Sequence, residues 1–132
     1  RNPTMTRLLL AATLGALLCS PASARDTSLN GRWTGDYKTD EGIDREAELV
    51  VTEGGATWTG KPKGSAGRQN PCFNRAFAVL IEGEPDGALS LWVKASQALP
   101  LCKDLRLQLT RVSPTRLEGR FKSGAPVWLD RR

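Results

Sequence analysis

Histidine is absent from the 132 residues, and methionine and tyrosine occur once each. Without histidine there is no imidazole base, no Ser-His or Cys-His pair and no histidine-ligated zinc site. No serine stands in a G-x-S-x-G setting that would activate it. Basic and acidic residues number 19 and 14, a net charge of +5, too mixed in sign for the dense field of a dedicated nucleic-acid binder. No apolar run reaches the ~18 residues of a membrane-spanning helix. Asp36–Glu46 fails as a calcium loop, because Tyr37 and Thr39 would fall at liganding positions that need carboxylates. The expectation is a non-enzymatic protein without metal or cofactor, acting by binding.

The first 24 residues read as an address. Arg1 to Thr4 resemble an upstream remnant before Met5, Arg7 supplies the positive n-region, and Leu8 to Leu18 form an apolar stretch of signal-peptide length. Ala22-Ser23-Ala24 then gives an A-x-A cleavage site, with residues 25–132 as one exported domain, periplasmic or secreted. Cys19 offers an alternative as the lipidated residue of a lipoprotein, but Leu18 stands before it where a small side chain is usual. Removing residues 1–24 takes away Arg1, Arg7 and Cys19, so the net charge falls from +5 to +3 and Cys72 and Cys102 remain. Two cysteines in an exported chain are expected to pair. Their loop of about 30 residues implies roughly 3–4 kcal/mol on the chain-entropy argument.

From Arg32 onward, apolar residues recur at every second position, the period of a strand with one buried face. Trp33, Gly35 and Tyr37 share a face, as do Ala47, Leu49 and Val51, and Leu105, Leu107 and Leu109. Eight such segments and no helix are predicted, separated by turn-forming stretches such as Thr39–Asp44, Glu53-Gly54-Gly55 and Glu82–Gly87. Connections this short make neighbours antiparallel. The predicted fold is therefore all-β, an eight-stranded antiparallel up-and-down meander barrel, with a two-sheet β-sandwich as the alternative.

The opening Gly31-Arg32-Trp33, the meander and the late hairpin around Leu117-Glu118-Gly119-Arg120-Phe121 together resemble the calycin-type barrels, which include lipocalins and avidins. The resemblance implies a closed barrel and, through its carriers, an interior pocket. It does not extend to biotin. Gly60-Lys61-Pro62 stands where avidins place a tyrosine, the late Trp-Lys segment is missing, and no site residue carries over.

In a meander the odd-numbered connections gather at one end, and these include the long segments Lys61–Pro71 and Ala95–Leu101. With Cys72 opening the fourth strand and Cys102 the sixth, the bridge is expected to pin both loops at that mouth. Asp40, Lys63, Arg68, Asn70 and Lys103 are the candidate binding residues there. Trp92 and Trp128 fall on the polar face and suggest an interface, a homodimer among the forms it could take. The leading expectation is a protein-interaction or inhibitor-type module of the bacterial envelope. Alternatives are a small-ligand carrier and a binder of anionic envelope polymers such as lipopolysaccharide, the latter through Arg106, Arg116, Arg120 and Lys122. A void above about 300 Å³ inside the barrel is what a carrier requires.

Overall fold

A computed structural model describes residues 28–65 and 67–132. The expected signal peptide, its expected cleavage site and Cys19 lie outside the described residues. Eight strands follow one another: β1 (Gly31–Lys38), β2 (Asp44–Thr52), β3 (Gly55–Pro62), β4 (Ala76–Gly83), β5 (Ala88–Val93), β6 (Leu105–Ser113), β7 (Arg116–Phe121) and β8 (Pro126–Arg131). Each pairs antiparallel with the next, and β8 pairs with β1 from Trp33↔Arg131 to Tyr37↔Val127. That last ladder closes the barrel, so the sandwich is excluded. A single helical turn, α1 (Ala95–Ala98), interrupts the β5–β6 connection where only loop was expected.

The period-two pattern sets the inside. Trp33, Leu49, Trp58, Leu91, Leu107, Leu117 and Leu129 are all at most 2 % exposed. They fill the barrel from seven of its eight strands, and apolar burial of this kind supplies its main driving force. Glycines stand at inward positions where two strands come closest. A Cβ at Gly35 would lie 1.7 Å from the Trp128 carbonyl oxygen, and one at Gly119 would lie 1.8 Å from that of Gln108. Both clashes are with backbone, so only glycine lets the wall bend there.

The disulfide forms between Cys72 and Cys102, with Cα atoms 5.7 Å apart. Contrary to the sequence pattern, which put Cys72 at the start of the fourth strand and Cys102 at the start of the sixth, neither cysteine opens a strand. β4 starts at Ala76 and β6 at Leu105, so both lie in loops. Loop placement lets the two residues meet although a strand separates their elements in the sheet. The bond indicates an oxidising compartment. Among the described residues, no helix is long and apolar enough to cross a membrane.

Candidate functional site

The two ends of the barrel are built differently. At one end, Trp33 is fully buried and its indole N–H donates to the Leu29 carbonyl at 2.9 Å. The Arg111 and Arg131 guanidinium groups lie over its ring at 5.6 and 5.1 Å from the centroid. Arg111 also donates to the carbonyls of Ser28, Pro85 and Pro114, and Arg131 to those of Ser28 and Asn30. Two cations thus tie the entering chain and two turns across the opening. This end is plugged.

The other end is open. A cavity of about 390 Å³ enters the barrel there, walled by Tyr37, Trp58, Phe77, Val93 and Phe121. The Tyr37 ring lies 5.0 Å from Phe121 and 6.3 Å from Trp58, while Trp58 and Phe121 meet edge-on at 6.2 Å. Such tilted and edge-on pairs leave ring faces and edges able to receive a further aromatic group. Gly60 keeps the entrance clear, since a Cβ there would approach Tyr37 Oη and the Phe73 ring to 3.2 Å. Burial pushes the Tyr37 phenol pKa up, with Arg45 pulling it partly back, so the hydroxyl remains a proton donor at neutral pH.

The sequence-predicted binding residues divide between two surfaces. Asp40 and Lys103 stand on the cavity rim, with Lys38, Glu41 and Lys122. Lys63 lies instead on the outer wall, paired with Asp36 at 2.8 Å. Around it Arg32 and Lys61 share Glu48, so this charged groove neutralises itself. Arg68 donates from Nε to the Gly64 carbonyl, and Asn70 Oδ1 accepts from the Cys72 N–H at 2.9 Å. These two shape the Lys63–Arg75 loop from within. In the basic ribbon, Arg116 is paired with Glu118 and Asp130, and Arg120 donates to the Gly124 carbonyl.

Trp92 and Trp128 do not share a face, because they stand on β5 and β8, three strands apart around the barrel. Arg116 lies over Trp128, 5.9 Å from its centroid. Trp92 is half-buried between Lys94 and Arg106, at 4.8 and 4.1 Å from its centroid. Its N–H donates to Asp104 at 2.9 Å, and Asp104 also accepts from the Ser96 N–H at 2.8 Å. This arrangement braces the β5–β6 connection from outside rather than offering an apolar patch. The hydrogen bonds from Ser96 and Trp92 hold the Asp104 carboxyl below its ordinary value. A lowered carboxyl pKa gives a contribution present at neutral pH and lost as pH falls through the folded-state value. Trp92 fluorescence is therefore expected to change in acid with a midpoint below the usual ~3.9 of an aspartate. Asp104→Asn should abolish that transition; its persistence in the variant would assign it to another group.

Arg45, Arg111 and Arg131 were not singled out by the sequence pattern, yet each simply continues an inward run. Ala47 and Leu49 extend back to Arg45, Leu107 and Leu109 forward to Arg111, and Val127 and Leu129 forward to Arg131. Arg45 is 5 % exposed and lies under Phe73, its guanidinium carbon 4.7 Å from the ring centroid.

Comparison with known proteins finds no matching family model, curated sequence or solved structure. The closed antiparallel order is compatible with a calycin-like barrel at the level of architecture.

Proposed function

We propose that this protein is an exported, non-enzymatic carrier or sensor of a small molecule, periplasmic or secreted, which it holds in the open mouth of the barrel. The cavity carries this reading. Its volume of about 390 Å³ exceeds the ~300 Å³ at the lower end of ligand pockets. An apolar, aromatic interior with a mixed-charge rim is how such pockets combine affinity with orientation.

A compact naphthyl probe, 2-naphthalenemethanol, should bind with one-to-one stoichiometry. At ~0.5 kcal/mol per heavy atom, its dozen atoms give a Kd on the order of tens of micromolar. Val93→Phe, which fills the cavity, should weaken binding about tenfold or more while the far-ultraviolet circular dichroism stays unchanged. Absence of saturable binding, or undiminished binding in the folded variant, would refute the carrier.

One observation favours a second reading, docking on another protein. Leu101 beside the bridge is 68 % exposed, and Ile43 on a neighbouring loop of the same end is 38 % exposed. Apolar side chains at a rim are a common feature of protein contacts. Under that reading Leu101→Asp would abolish partner capture and leave naphthyl binding intact.

A further inference from the structure

We propose that the mouth cavity selects an organic monoanion, an aryl or short alkyl carboxylate, whose acid group is received by Arg45 and Tyr37 once the Phe73 ring turns aside. The inference rests on the carrier reading and adds the charge of the ligand to it.

The rim carries both signs of charge, but the buried hydrogen-bonding groups beside the cavity are unbalanced in one direction. Arg45 is almost fully buried, yet it donates one bond, from Nη1 to the Asp44 carbonyl at 2.9 Å, and its Nε meets no acceptor. Among the described residues no carboxylate lies within 4.0 Å of it. Glu41, on the exposed β1–β2 loop, feels its charge without pairing to it. Tyr37 is the cross-strand partner of Arg45 and lines the cavity, and only burial and the Arg45 charge act on its hydroxyl. The Trp58 indole N–H, in the same wall, also lacks an acceptor. A buried guanidinium without a counter-ion is costly. What is missing is an acceptor, and a carboxylate is acceptor-only.

Phe73 is placed to control access. Its ring covers Arg45 and also forms part of the cavity wall. In this position the ring face partly compensates the cation. The ring is only half-buried, so a rotation about χ1 is open to it on a fast timescale. Cys72 next to it is fixed by the bridge, which leaves the backbone in place while the ring moves. The size also fits. At ~30 Å³ per water-sized group, 390 Å³ takes about 13 such groups, the size of a two-ring aromatic acid.

The test compares 2-naphthoate with the neutral 2-naphthalenemethanol by calorimetry at pH 7. Naphthoate is expected to bind at least about tenfold more tightly, the effect of charge-assisted hydrogen bonds. Arg45→Met should bring naphthoate down to the affinity of the alcohol and leave the alcohol unchanged. Tyr37→Phe removes only a hydroxyl and should weaken naphthoate alone, by several-fold; it also serves if Arg45→Met does not fold. Equal affinity of the two probes for the unmodified protein, with both bound, would overturn the anion site and leave the carrier standing. Loss of both probes by the same factor in Arg45→Met, or an unchanged naphthoate affinity in Tyr37→Phe, would also overturn it. Failure of both probes to bind the unmodified protein would remove the carrier itself.

Discussion

Reduction of the Cys72–Cys102 bond is expected to lower the unfolding free energy by about 3–4 kcal/mol and the melting temperature by roughly 15–25 °C. The bond spans a sequence separation of 30 and joins two loops that contribute nothing to the barrel ladders. Reduction therefore leaves all eight strand pairings possible and restores freedom to the unfolded chain. Set against a typical total of ~5–15 kcal/mol, such a loss is large. Thermal unfolding followed with and without reductant, and in a Cys72→Ala, Cys102→Ala double variant, measures it. A shift below about 5 °C would mean that the loops hold each other without the bond, contrary to the argument. Reduction should also weaken ligand binding beyond any change in stability, because Phe73 loses its fixed neighbour.

Trp33→Ala should cost about 3–5 kcal/mol, the range for truncating a large buried aromatic. Here the ring does more than fill space. Its N–H satisfies the Leu29 carbonyl, and its ring receives the Arg111 and Arg131 cations. Removing it leaves a buried carbonyl without its donor and two guanidinium groups beside a void. Trp33→Phe keeps an aromatic surface and should cost less than half as much. Urea titration gives both numbers, with an unchanged slope showing that the folded state is the same. Because Trp33 lies at the plugged end, a folded Trp33→Phe should bind the naphthyl probes normally. A matching loss of binding would show that the two ends are coupled.

The strands were legible because one face of each is apolar at every second residue, and that pattern needs no knowledge of distant contacts. Short turns then dictated antiparallel neighbours, and covering the apolar face dictated closure. The same rule reaches further than the apolar residues alone show. It stops at Ala47, Leu109 and Leu129 if only apolar residues are counted, but the pleat continues, so Arg45, Arg111 and Arg131 also turn inward. A charged residue one period beyond an apolar run was the available signal.

Other features were not local. The apolar segment from Phe73 to Ile81 carries no mark that the strand begins only at Ala76, so the pattern alone puts Cys72 at the head of a ladder rather than in the loop. Trp92 and Trp128 share a face in pattern alone; their separation follows from strand order around a closed wall. Lys63 could equally have served the mouth, and its partner Asp36 decides otherwise. The cavity is a void left between side chains of six strands, and a void has no residue pattern of its own.

The closing ladder also fixes how the molecule responds to force. Gly31 begins β1 and Arg131 ends β8, and the two strands run antiparallel side by side, with the Arg132 N–H donating to the Arg32 carbonyl at 2.8 Å. Tension applied between these points loads the hydrogen bonds one after another, as in a zipper, instead of all together in shear. The barrel is thus mechanically soft along the line joining Gly31 and Arg131, and opening begins at the plugged end, beneath Trp33.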